Sequence, residues 1–298
     1  MLLLTSYMDE TGHSEDLSFN FVGMGGFVAP AETWASFGKT WQEVLDIMQL
    51  KEPFHMNEFA HSFGQFKDWK DKETKRRMLL CALVTLIVKS RAVPIGAIVS
   101  LKDYYSLTPE QQSHFKDPYH IAFQTCTRGA ALQALGLPKD EKVAMIYAYN
   151  HLTGTIPPKE TYSVDQAGNA EQLWHVMRDT TDFGKWMGGY GSSTPADTVQ
   201  LQAADLFAYE LAKEFQNIVT RPKDRMRWGL RQILRAVNFP FHFVRLLDRK
   251  ELLRIIKESR WPDQTGTEEV DNDQMLSAHD NMLKWFAQRT GGPEEGDL

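Results

Sequence analysis

Short, mainly apolar runs over Leu2 to Met8 and Phe19 to Ala29 predict two short strands, joined by a polar turn that contains Gly12 and His13. They read as an antiparallel pair, and Gly25 and Gly26 allow a bulge or a close backbone approach in the second. Helical spacing follows over Ala31 to Gln49 and over Glu73 to Ser90. The second helix is apolar almost all round and is expected to be buried. Ala92 to Leu101 reads as a third strand, Tyr119 to Leu135 as a helix stopped by Gly136 and Pro138, and Val143 to Tyr149 as a fourth strand. A helix near Ala170 to Asp179, a strand around Lys185 to Tyr190 and a strong helix from Thr198 to about Asn217 complete the body, the last with Asp197 and Gln200 expected as a capping pair.

This order, antiparallel strands first and a βαβα half second, predicts an α/β protein built on a mixed five-stranded sheet flanked by helices, with inserted helices after strand 2. Arg225 to Val237 and Asp248 to Ser259 read as two further helices, and 262–298 as a polar tail with one amphipathic helix near Gln274 to Phe286. The expected division is a sheet domain over 1–218, a basic helical extension over 219–261 and an acidic tail over 262–298.

Composition narrows the class of protein without naming it. The chain has 298 residues, 42% hydrophobic and 24% charged, enough to bury a full core. Its longest apolar run, Met78 to Val88, is too short to span a bilayer, and the first residues lack a basic region before Asp9, so a cytoplasmic location is expected and no membrane partner. Two cysteines, Cys81 and Cys126, cannot build a disulfide framework or a four-thiolate metal site. The net charge of −6 hides an asymmetry, since 262–298 carries 9 acidic and 2 basic residues while Thr220 to Trp261 carries 12 basic and 4 acidic.

Four places could carry chemistry. Asp205 shares an apolar helical stripe with Leu201, Ala208 and Ala212, so a carboxylate is aimed into the protein, where it requires an ion pair or a bound cation. Asp9 and Glu10 end the first strand, where a rigid sheet commonly presents catalytic groups, although aspartate also suits turns. His55 and Glu58, three apart, share a face if their segment is helical, among Phe54, Phe59, Phe63 and Phe66. The spacing is not the one in which two histidines four apart share a zinc ion. Arg227, Arg231 and Arg235, four apart, form a stripe that could hold a phosphate backbone or simply face solvent.

Taken together, Tyr7-Met-Asp9-Glu10-Thr-Gly12, the strand Phe21 to Val28, Phe54-His55-Met-Asn-Glu58 and Val199-Gln-Leu-Gln-Ala-Ala-Asp205-Leu-Phe-Ala-Tyr209 resemble the domain-of-unknown-function 3800 family, over roughly residues 1 to 218. The resemblance implies a ribonuclease-H-like fold, in which acids from the first strand and the last helix meet as ligands for divalent metal. It makes Asp9 and Asp205 the main ligands, Glu10 and Glu58 further acids, and His55 a nearby donor or base. The end of the fourth strand departs from the expected acid, offering Asn150, whose carbonyl oxygen adds no charge to a metal site.

Two functions follow as expectations. One is a nuclease that uses Mg²⁺ or Mn²⁺ on Asp9, Asp205, Glu58 and Asn150 to hydrolyse phosphodiester bonds in DNA or RNA. The other is a catalytically inactive module that binds nucleic acid or a protein partner. Met275, Met282 and Phe286 give the tail helix a partial apolar face, for docking within the chain or in a homodimer through the C-terminal helices.

Overall fold

The computed structural model describes residues 4–12, 20–115, 117–135, 137, 141–148, 162–221, 225–237 and 243–258. The chain runs through β1 (Leu4–Thr11), β2 (Phe21–Pro30), α1 (Ala31–Ile47), α2 (Met56–His61), a 3₁₀ turn (Gly64–Trp69), α3 (Glu73–Ser90) and β3 (Val93–Ser100). It continues through α4 (Leu101–Tyr105), α5 (Pro109–Gln112), α6 (Pro118–Ala131), β4 (Val143–Ala148), α7 (Tyr162–Thr180), β5 (Met187–Ser193) and α8 (Gln200–Thr220). Last come α9 (Trp228–Ala236), β6 (Phe243–Leu247) and α10 (Arg249–Glu258). Asn150 and the tail helix expected near Gln274 to Phe286 lie outside the described residues.

The strands form one mixed sheet in the order β5-β4-β1-β2-β3-β6. β1, β2 and β3 pair antiparallel, whereas β4 lies parallel to β1, β5 parallel to β4 and β6 parallel to β3. Six strands replace the expected five. The additional strand is Phe-Val-Arg-Leu-Leu, too short and too interrupted to show a period, and it exists because β3 offers it an open edge. The segment after residue 218, read from sequence as a separate helical extension, therefore continues the same sheet, and α9 packs on α3 and α8.

Strand periodicity sorts the core into two layers. Tyr7, Phe27 and Ile98 face a layer formed by α1, α3, α8 and α9; Met8, Met24 and Val99 face the other, formed by α4, α6, α7 and α10. Trp34, Phe37, Trp41 and Leu45, at helical spacing, bury one face of α1. The same logic corrects α3, which buries only Leu79, Leu83, Val84 and Ile87 and leaves Met78 exposed. Cys126 is buried under α6 with its Sγ donating to the Met24 carbonyl, as a small core residue does.

Helix α8 crosses β1 and β2. It can come so close because Gly25 presents no side chain: a Cβ there would lie 3.0 Å from Ala208 Cα and 3.1 Å from Phe207 Cδ1. Gly26, opposite Met8 across the ladder, is tighter still, since a Cβ would fall 1.9 Å from the Tyr7 carbonyl oxygen. Gly26→Ala should therefore destabilise the protein by about 2 kcal/mol in urea unfolding, because backbone must move. Gly189→Ala, whose Cβ would meet nothing within 4 Å, should stay within about 0.5 kcal/mol of wild type, and equal effects at the two positions would contradict this packing.

Candidate functional site

Three polar residues on the first turns of α8 are aimed inward, and two of them hold one extended stretch of chain. Gln202 Oε1 accepts from Trp41 Nε1 and from the Phe54 amide, both at 3.0 Å, while its Nε2 donates to the Pro195 carbonyl at 2.8 Å. Asp205 Oδ2 accepts the Met56 amide at 2.7 Å, satisfying an N–H that the first turn of α2 leaves without an intrahelical partner. Alternate amides of Phe54-His55-Met56 are thus pinned by side chains one turn apart on α8. Gln200, expected in a capping pair with Asp197, instead donates to the Trp34 carbonyl; Asp197 accepts from Thr194 Oγ1. Gln202 was not given a role from the sequence, although two amides within an apolar helical run are the signal that marks it.

This clamp fixes His55 beside Asp205, with Nδ1 3.7 Å from Oδ2 and 43% of the side chain exposed. The Asp205 carboxylate raises the imidazole above its usual 6.5, burial opposes the rise, and the charge of Glu58 adds to it. In an NMR titration the His55 midpoint should lie above 6.5 in wild type and fall in Asp205→Asn, leaving burial as the stronger influence; an unchanged midpoint would contradict the pairing. A raised histidine favours the fold below its ordinary value, and that contribution is lost as pH rises through the folded value. With almost half the ring in solvent, the stability effect is small.

Asp9 approaches from below the helix. It is 7% exposed on the α8 side of β1, and its Oδ1 accepts the amide of Glu10 at 2.8 Å. Burial pushes its carboxyl well above the usual carboxylate range, and the charges of Asp205 and then Glu10 push in the same direction, against the amide hydrogen bond. Asp9 and Asp205 therefore feel each other directly. Among the described residues, neither has a lysine or arginine ion-pair partner, so the structural arginine pair weighed for Asp205 is not what holds it.

The other predicted site residues separate from this pair. Glu10 follows Asp9 in a strand and so faces the opposite layer, where its charge helps burial hold the Tyr119 phenol high. Glu58 shares the His55 side of α2, but its carboxylate lies over Gly64, where a Cβ would be 2.3 Å from Oε2. Among the described residues, no three His, Cys, Asp or Glu side chains group closely enough to hold a metal ion. Of the four ligands expected from sequence, Asp9 lies within reach of the Asp205 charge, Glu58 lies over Gly64, and Asn150 falls outside the described residues.

The arginine stripe is also corrected. Arg227 grips Glu210 with both nitrogens, Nε to Oε2 at 3.0 Å and Nη2 to Oε1 at 2.5 Å, and its amide donates to Glu214. Arg231 is buried, and only Arg235 of the three is exposed. Arg227 faces α8 because that helix carries glutamates at the same four-residue spacing, and Glu210 neutralises it inside the protein.

No family model, curated protein or solved structure matches the chain. Among the described residues, no helix is long and apolar enough to cross a membrane. The site thus consists of two carboxylates on adjoining elements, one of them deeply buried, with an imidazole beside the more exposed one.

Proposed function

We propose that this protein is a divalent-metal-dependent nuclease in which Asp9 and Asp205 hold Mg²⁺ or Mn²⁺ against a phosphodiester. The observation that carries the reading is a buried Asp9 carboxylate within reach of the Asp205 charge, with no lysine or arginine ion-paired to either among the described residues. Such a pair is costly in the folded protein unless a cation joins it. The donor chemistry fits a hard, oxygen-preferring ion, and Mg²⁺ in particular is commonly held by one or two carboxylates with waters and substrate phosphates completing its shell.

When bound, the ion supplies Lewis-acid polarisation of the phosphoryl oxygen and a more acidic water. Asp9 fixes the buried side of the site from the rigid sheet. Asp205 fixes the outer side while its hydrogen bond to Met56 orients the carboxylate. His55, half in solvent beside it, is suited to hold a proton at Nδ1 toward Asp205 and release it as a nearby anion is neutralised. The resemblance to the domain-of-unknown-function 3800 family supports the same reading, because it implies a ribonuclease-H-like mixed sheet in which acids from the first strand and last helix meet.

The test is incubation of the full chain with end-labelled single- and double-stranded DNA and RNA in Mn²⁺. Cleavage should be abolished by chelation and by Asp9→Asn and by Asp205→Asn; activity that survives either substitution overturns the residue assignment. A second reading, an inactive module that binds nucleic acid or a protein partner, is favoured by the two-carboxylate count among the described residues and is supported if the folded wild type takes up no Mn²⁺.

A further inference from the structure

With Arg227 paired to Glu210 and Arg231 buried, other basic side chains lie closer in sequence to the carboxylates. Helix α2 carries the carboxylate and imidazole site at its N-terminal end, and a histidine, a lysine and an arginine gather near its C-terminal end. His61, exposed, meets the Tyr209 hydroxyl with Nε2 at 3.4 Å. Lys213 Nζ lies 5.6 Å from the centre of the half-buried Tyr209 ring. Arg76 donates to Ser62 Oγ at 2.6 Å and to the Ala60 carbonyl at 3.3 Å, with its guanidinium 4.7 Å from the centre of the Phe59 ring. Ser62 ends α2 in the left-handed region, φ 54°, so the Arg76 contact also secures a turn that a non-glycine residue adopts at a cost.

The spacing ties this cluster to the site. Tyr209 and Lys213 follow Asp205 by four and eight residues on one face of α8, about 6 and 12 Å along its axis, and the six residues of α2 span about 9 Å. A carboxylate pair suited to a cation and a phosphate thus lies one to two helical turns from an aromatic ring flanked by a lysine and a histidine. That combination suits a strand whose bases are unpaired, since a ring can stack on a base while the cations meet phosphate oxygens.

We propose that Tyr209, His61 and Lys213, backed by Arg76, form the track that holds a single-stranded nucleic acid leading into the Asp9 and Asp205 site. This rests on the nuclease reading for its direction but is tested apart from it. Fluorescein-labelled dodecamers of thymidine and of uridine are titrated with the full chain in EDTA and followed by anisotropy, which removes cleavage and metal from the measurement. Tyr209→Leu should weaken binding of one or both dodecamers about tenfold, the size expected for loss of a stacked base. Lys213→Gln should lower the slope of log affinity against log salt by about 0.7, one phosphate contact on a single strand. Lys102→Gln, exposed on α4 in the opposite layer, should change neither.

Wild-type affinity in both Tyr209→Leu and Lys213→Gln overturns the track. Should Tyr209→Leu fail to fold, Lys213→Gln by its salt slope and the exposed His61→Gln by its affinity decide the matter. Calorimetric titration of Mn²⁺ into the same variants separates the two ideas. Normal Mn²⁺ uptake with unaltered nucleic-acid binding overturns the track alone. Weakened nucleic-acid binding in a protein whose wild type takes up no Mn²⁺ supports the track and removes the nuclease reading. Preference for the uridine over the thymidine dodecamer would assign the track to RNA, and the reverse to DNA.

Discussion

Replacing Arg227 by alanine is expected to lower the unfolding free energy by about 3 kcal/mol, because it leaves a buried carboxylate without its counter-charge. Glu210 is 2% exposed, whereas the Arg227 side chain retains 33%, so the substitution opens a path for water to only part of the cavity. The gross attraction is discounted for that exposure, yet the bidentate geometry makes this pair stronger than an ordinary surface bridge. Urea unfolding of Arg227→Ala, Glu210→Ala and the double variant gives the coupling, and the double variant should be milder than the sum of the single ones. Arg235→Ala, exposed on the last turn of α9, should stay within about 0.5 kcal/mol of wild type. If Arg227 served nucleic acid instead, its removal would leave stability unchanged and weaken binding.

Asp9→Asn should act in the opposite direction, raising the stability of the metal-free protein by about 1 kcal/mol while abolishing divalent-ion binding. The sign follows from linkage. A carboxyl whose folded value is raised by burial and by a neighbouring anion contributes stability below its ordinary value, and that contribution is lost as pH rises through the folded value. The wild type should therefore lose stability as pH climbs from the ordinary carboxylate range toward neutrality, and the asparagine variant should lose less. Saturating Mg²⁺ at one hundred times its dissociation constant should restore about 2.7 kcal/mol to wild type and nothing to the variant. Thermal melts with and without Mg²⁺ at two pH values read both effects. A variant that is less stable than wild type without metal, or that still gains from Mg²⁺, would contradict the repulsion on which the site is argued.

Much of this arrangement was legible in the sequence, and the parts that were not have physical reasons. Asp205 stood out because a carboxylate on an apolar helical stripe must point inward, and Gly25 because a strand glycine predicts close approach, which Ala208 of α8 supplies. Glu10 was grouped with Asp9 by adjacency, although a strand's period of two places neighbours on opposite faces. The arginines were read alone; read against Glu210 and Glu214 on the helix before them, Arg227 becomes one half of an internal pairing. Strand β6 could not be seen locally, because its five residues are defined by the edge of β3, well over a hundred residues earlier. The clamp from Gln202 and Asp205 onto Phe54 and Met56 is likewise a long-range feature, bridging segments about 150 residues apart.

The central claim of the proposed function is that the carboxylates of Asp9 on β1 and Asp205 on α8 hold a divalent cation. Isothermal titration of Mn²⁺ into the full chain and into Asp205→Asn tests it without a choice of substrate. Saturable binding near one ion per chain in wild type, absent in a folded Asp205→Asn protein, is the predicted result. Equal binding by both proteins, or none by the folded wild type, would contradict the assignment of Asp9 and Asp205 as its ligands.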